Sequence, residues 1–247
     1  MTKQELQTLF QSRLNEFGFS VDSRAAERFT RYHELLVEWN ERINLTGDAS
    51  IDVALDRHYM DSIAPLKIAG LFPKGAQLID VGTGAGFPGL PLAIVRPDIE
   101  VLLLDSLQKR LTFLDTVVME LDLPNVHTAH ARAEDAGQNP YYRERFDVAV
   151  ARAVASAPVL MELLLPFVRI GGKALCYKGP SAEDELRAGG RAARLVGGST
   201  IRTLPVTVPA QPEWQHCVIA SEKLLITPRL YPRKAGMPSK VPLGEWE

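Results

Sequence analysis

The stretch Leu78–Gly89, LIDVGTGAGFPG, constrains this chain more than any other. A short apolar run ends on an acid, Asp80, and four glycines fall within the eight positions from Gly82 to Gly89. Pro88 and Pro91 then open a helical pattern, so the segment reads as a strand, a tight turn and a helix N-terminus. Gly82, Gly84 and Gly86 lack a Cβ, which lets the backbone take positive φ and lets a ligand approach the main chain. The loop is therefore expected to hold a cofactor.

The acid selects which cofactor. Gly84, Gly86 and Gly89 match G-x-G-x-x-G, a weak sign of a dinucleotide site when it stands alone. Asp80 opposes that reading, because a carboxylate at the strand tip would face a doubly charged pyrophosphate in a cleft of reduced dielectric. S-adenosylmethionine offers an ammonium and a cationic sulfonium there, which an acid attracts. A second buried-strand run, Val101–Leu104, ends in Asp105, where an acid takes the ribose hydroxyls, with Ser106 and Leu107 following at the adenine end.

Around this loop the pattern alternates. Strands are expected at 77–81, 100–105, 126–131, 146–152, 173–178, 201–207 and 216–225, with helices near 89–95, 107–122, 156–168 and 182–196. The fold class is thus α/β, a Rossmann-like methyltransferase with a seven-stranded, mostly parallel sheet and its ligand beyond the strands' carboxyl ends. The last two strands are joined only by Pro209-Ala210-Gln211-Pro212 and should pair antiparallel. Residues 1–70 read as a helical N-terminal cap. Leu6, Leu9, Phe10, Leu14 and Phe17 repeat at helical spacing, as do Phe29, Tyr32, Leu35, Leu36 and Trp39. Gly18 is a C-cap candidate, Ser20 or Asp22 can start the second helix, and a third should run from about Ser50 to Ile68. Residues 71–228 form the cofactor-binding domain. Residues 229–247 are a basic, proline-rich tail, too polar to pack as sheet or helix, with Arg229, Arg233, Lys234 and Lys240 preceding its first acid, Glu245.

No apolar run among the 247 residues reaches membrane-spanning length, and MTKQELQTLFQSR contains no signal-peptide core, so a soluble cytoplasmic protein without a membrane partner is expected. Cys176 and Cys217 are read as buried free thiols. A net charge of −2 argues against a general nucleic-acid binder, so any polyanion must meet a local patch. His127 and His130 fall on opposite faces of their strand, and no metal is expected.

Chemistry narrows the acceptor. Methylating a pyrimidine carbon uses a covalent thiol, usually in a Pro-Cys pair, which the sequence lacks. Methylating an exocyclic amine normally uses an Asn/Asp-Pro-Pro-aromatic motif after the fourth strand. Asn139-Pro140-Tyr141-Tyr142 lies before that strand, lacks the second proline and is read as a surface turn. What remains is an atom that is already a good nucleophile. Guanine N7 qualifies and needs no general base. A 2′-hydroxyl assisted by Lys178 and a nearby acid stays open, as does a carboxylate.

The segments Asn44-Leu45-Thr46, Arg57-His58-Tyr59-Met60-Asp61-Ser62, DVGTGAGFPG, LLDSLQKRLTFL, VARA, Tyr177-Lys178-Gly179 and YPRKAGMPSKVPL occur in that order over nearly the whole chain. Together they resemble the bacterial ribosomal RNA small subunit methyltransferase G family, also called glucose-inhibited division protein B. The resemblance implies S-adenosylmethionine-dependent methylation of guanine N7 in a loop of 16S rRNA near the decoding centre. It places cofactor contacts at Gly82 and Phe87, at Asp105 and its neighbours, at Ala133 and Glu134, and at Arg152, which is also the residue placed nearest the reacting centre. Arg57 and Asp61 stand one helical turn apart, so a simple ion pair is the bland alternative to a functional role there. The RNA-facing set is Arg57, His58, Lys178, Arg233, Lys234 and Lys240. A monomer acting on 16S rRNA within a small-subunit particle is expected. The alternatives are a small-molecule methyltransferase and a non-catalytic RNA-binding assembly factor.

Overall fold

The computed structural model describes residues 1–19, 23–152, 155–180 and 185–244. Ser20, Asp22, Ala153, Glu245 and the start of the helix expected from 182 lie outside the described residues. Helix α1 (Lys3–Glu16) opens on a capping box in which Thr2 accepts from the Glu5 amide and Glu5 reaches back to the Thr2 amide. It ends at Gly18, whose φ of +67° lets its amide turn back to the Asn15 carbonyl. Helix α2 (Ser23–Ile43) packs against it, with Phe10 stacked on Phe29. The third helical stretch is broken in character. Helix α3 (Ile51–Ala54) passes into a π-helical turn, Leu55–Met60, then helix α4 (Asp61–Ile63) and a 3-10 turn, Ala64–Lys67. Such π turns recur at functional sites.

Strands β1 (Gln77–Val81), β2 (Glu100–Asp105), β3 (Val126–His130), β4 (Phe146–Arg152), β5 (Val168–Lys178), β6 (Arg202–Val208) and β7 (Gln211–Glu222) form one sheet in the order β3-β2-β1-β4-β5-β7-β6. All neighbours through β5 are parallel, and β7 runs antiparallel to both β5 and β6. The strand order reverses at β1 beside β4, which opens a crevice beyond their carboxyl ends. The hairpin is tighter than the sequence implied: Val208 pairs with Gln211, so β7 begins at Gln211 and not at 216. Helices α5 (Gly89–Val95), α6 (Gln108–Glu120), α7 (Ala133–Gln138), α8 (Ala157–Leu164) and α9 (Leu186–Leu195) cover the faces. One apolar cluster joins the N-terminal helices to a face of the sheet through Phe10, Tyr32, Phe87 and Val150. A second fills the opposite face beneath α8 and α9.

The polar tail packs after all, through its backbone. Arg143 donates to the carbonyls of Thr227 and Tyr231, Gln138 to those of Arg229 and Pro232, and Arg191 to that of Gly244. Pro232 rests on Gly137, where any Cβ would come within 2.8 Å of its ring, and the segment includes a short helix, α10 (Met237–Lys240). Side-chain polarity concealed this, because these acceptors are main-chain carbonyls that every residue carries.

Candidate active site

A cleft of about 520 Å³ opens at the carboxyl ends of β1 and β2. Its floor is the loop after β1. The Gly82 amide donates to the Leu104 carbonyl at 2.8 Å and the Gly84 amide to Asp105 at 3.0 Å, which ties the loop to the end of β2. Gly84 sits at φ +61° with its Cβ position facing no heavy atom nearer than 4.0 Å, so a ligand can approach the main chain there. Gly86 serves otherwise. Its Cβ would fall 2.4 Å from Leu90 and 2.8 Å from the Tyr32 hydroxyl, so this glycine lets α2 and α5 close over the loop and does not line the cleft. Tyr32, fully buried, donates its hydroxyl to the Ala85 carbonyl and fixes the loop from behind.

Asp80 also departs from expectation. Its carboxylate is fully buried behind the loop, with Oδ2 accepting from the Thr83 hydroxyl at 2.7 Å and the Gly89 amide at 2.9 Å. Oδ1 has no hydrogen-bond partner among the described residues, and burial pushes the acid up to about 6. The side chain does not line the cleft; it organises the turn and the start of α5. Strand alternation allows that inward direction as readily as the outward one. Leu107 is likewise outside the cleft wall, its amide capping Asp105 at 2.9 Å.

Asp105 and Ser106 do line it, with Ala133 and Glu134 from the start of α7 on the far side. Asp105 is nearly buried and accepts from Leu107, Gly84 and, at 3.3 Å, Arg110. Glu134 accepts from the Gly236 amide at 2.8 Å, which brings the tail to the cleft's edge. Leu45, Thr46 and Arg110 also line the cleft and were not singled out as contacts, although their motifs were. The signal for the first two lay in Asn44, whose φ of +53° turns the chain, and in Asn40, whose side chain accepts from the Leu45 and Thr46 amides at 2.7 and 2.8 Å. Thr46 then meets the His58 ring at 3.0 Å.

His58 and Arg152 form a partition, because both line this cleft and a second cavity of about 320 Å³. His58 stacks on Phe87 at 5.2 Å, and the Arg152 guanidinium lies 4.9 Å from the same ring. Burial, then the Arg152 charge, pushes His58 down to about 4, so its imidazole is neutral at pH 7. Arg152 Nη1 is directed at the carbonyls of Arg57 and His58, at the Ser62 hydroxyl and at Asp61, between 3.1 and 3.4 Å. Asp61 therefore pairs with Arg152 and with His216 at 2.8 Å, and not with its helical neighbour Arg57. The π turn carries Arg57 to the surface.

Lys178 ends β5, its ammonium 2.7 Å from both the Ala155 carbonyl and Glu185. Arg233 is turned inward from its expected phosphate-facing role. It grips the fully buried Glu162 through its own amide and guanidinium, at 2.6–3.2 Å, and its charge is spent there. Lys234 and Lys240 are exposed. Asn139 caps a surface turn with Tyr141 standing out in solvent, as the sequence implied. No described helix is long and apolar enough to cross a membrane.

The sheet order and the cleft at its switch point define a class I methyltransferase fold. The S-adenosylmethionine-dependent methyltransferase SibL superposes with a TM-score of 0.54 at 16% identity, covering 67% of this chain and 55% of its own. So does the [4+2]-cyclase SpnF, with a TM-score of 0.52 at 16% identity over 79% of this chain and 94% of its own, which shows that the fold alone does not select a reaction. Sequence does better: residues 25–207 match the family described as GidB, rRNA small subunit methyltransferase G, and the chain belongs to that family. Relatives called ribosomal RNA small subunit methyltransferase G include those of Acetivibrio thermocellus, 45% identical over 92% of both chains, and of Alkaliphilus metalliredigens, 42% identical over 92% of this chain and 95% of its own. The protein is a methyltransferase of the rRNA small-subunit kind.

Proposed function

We propose that this protein moves the methyl group of S-adenosylmethionine to N7 of a guanine in 16S rRNA, acting as a cytoplasmic monomer on a small-subunit particle. The observation that carries the reading is a cleft open at the Gly84 backbone, flanked by Asp105 and Glu134, whose one wall is shared with a second cavity. In this reading Gly82, Gly84 and Phe87 border the methionine end. Asp105 meets the ribose, and Ser106, Ala133 and Glu134 border the adenine. The donor supplies an electrophilic methyl on a cationic sulfur, and the guanine N7 lone pair displaces the thioether without losing a proton.

The chain's own part is then placement and electrostatics, and orientation of this kind is worth roughly 7–11 kcal/mol when geometry is good. Neutral His58 adds no like charge beside a sulfonium, and Asp61 offsets Arg152 behind the partition. Asp80 and Gly86 contribute by holding the loop's shape. Arg57, His58, Lys178, Lys234 and Lys240 are the residues offered to RNA. A net charge of −2 favours a protein-containing particle over bare rRNA.

Mass mapping of small-subunit rRNA from cells with and without the gene tests the reading. One guanine mark should vanish with the gene, and an unchanged rRNA map would refute it. Calorimetry should show binding of S-adenosylmethionine and none of NAD.

A further inference from the structure

The second cavity contains a buried acid whose part in the transfer so far is only to offset Arg152. Asp61 is 8% exposed, lines the cavity, and has its two oxygens directed at His216 and Arg152. Around it stand Tyr177, Val206 and Cys217 as apolar walls, Lys178 at the end of β5, and His216, which is stacked on Trp214 at 4.8 Å. A volume of about 320 Å³ lies at the small end of the range for ligand pockets, roughly 300–1,000 Å³. We infer that this cavity seats the target guanine, and that Asp61, held by His216, reads the Watson–Crick edge of that base. The inference rests on the reading given under Proposed function.

The argument is one of base geometry. N7 and N1 lie on different edges of a purine, so a guanine presenting N7 at the His58–Arg152 partition turns N1–H and the N2 amine away from it, along the wall where Asp61 adjoins Arg152. Donors arriving there need acceptors. Each carboxylate oxygen of Asp61 has two lone pairs and one protein partner, so it retains capacity to accept. A carboxylate can only accept, so His216 donates through Nδ1 and holds Asp61 in place from the far side. Lys178 spends two of its three hydrogens on Ala155 and Glu185, leaving one for O6.

Adenine would set the lone pair of its N1 against Asp61 and is rejected. Arg152 bears on the same question. A free arginine takes guanine O6 and N7 together and would mask the reacting atom. Here Nη1 is committed to the π turn, to Asp61 and to Ser62, which takes the Nη1–Nη2 fork away from the base.

The test uses full-length protein and small subunits reconstituted with guanosine, inosine or adenosine at the methylated position. Inosine keeps N7 and N1–H and lacks only the N2 amine. Wild type should lose about tenfold or more in kcat/KM on inosine relative to guanosine, the size expected when part of a bidentate contact is lost, and should leave adenosine unmethylated. Asp61→Asn should lower transfer to guanosine and shrink the guanosine–inosine gap below about threefold, since the reader and the group it reads are removed together. Equal wild-type rates on guanosine and inosine, or an Asp61→Asn enzyme with the full gap, would overturn the assignment while leaving the methyltransferase reading intact. The wild-type series needs no variant, so a misfolded Asp61→Asn protein does not blunt it. No methyl transfer to any rRNA would remove both readings at once.

Discussion

The two cavities on either side of His58 and Arg152 are built differently. The cofactor cleft is a backbone site: its floor comes from one strand-turn-helix segment, and its acids sit at the ends of the next two strands or just beyond. The second cavity is a side-chain site, with Arg57 and Asp61 from the helical cap, Arg152 from β4, Lys178 from β5, and His216 from β7. A backbone site depends on φ angles and close approaches within a short stretch. A side-chain site depends on long-range packing, here on polar contacts that bridge residues 91 to 155 positions apart.

The largest effect should separate the glycines of the first site. Gly86→Ala combines a φ of +98° with contacts of 2.4 and 2.8 Å to buried neighbours, and should cost about 2–5 kcal/mol of stability by thermal denaturation together with cofactor affinity. Gly84→Ala meets open space, and strain alone should cost only about 1–2 kcal/mol. Equal losses would break the distinction between packing and ligand approach within the loop.

Asp80 gives the next effect. Its folded value, about 6, lies above the ordinary 3.8, so its contribution to stability is full below about pH 4 and is lost as pH rises through 6. Asp80→Asn removes that loss, and its stability relative to wild type should climb between pH 4 and 7 by up to about 3 kcal/mol, read by denaturant unfolding at each pH. A flat difference would place the acid in contact with solvent or ligand, contrary to its burial.

The partition should respond more through rate than through stability. Arg152→Lys replaces a planar fork by a single ammonium, and should lower kcat about tenfold or more with a smaller change in cofactor affinity. The reverse pattern would assign Arg152 wholly to the cleft. Smallest of all, Arg57→Gln on the open side of the second cavity should reduce the salt slope of RNA binding by about 1. An unchanged slope would show that RNA does not pass that edge.

Much of this was legible beforehand. The glycines, Asp105 and the strand–helix alternation are local signals, each set by a few consecutive residues, and they pointed to the fold and the cleft's floor, while Phe87, Ala133, Glu134 and Arg152 were placed there by the family resemblance. Asp80 and Arg233 were read correctly as meaningful charges but given the wrong direction. Whether a strand-end carboxylate faces the cleft or the back of its own turn, and whether a tail arginine faces solvent or a buried glutamate on α8, depends on partners that sequence spacing does not place.

The amino-acid sequence by itself determined the order of elements, the crevice at the β1 switch point and the backbone floor beneath it. These follow from hydrophobic periodicity and from where a chain can tolerate positive φ. Only the tertiary structure decided that Asp61, Arg152 and His216 meet, and that His58 stands neutral between two cavities. Those facts depend on which distant side chains share a desolvated space, where an acid's nearest partner is settled by packing and not by its neighbours along the chain.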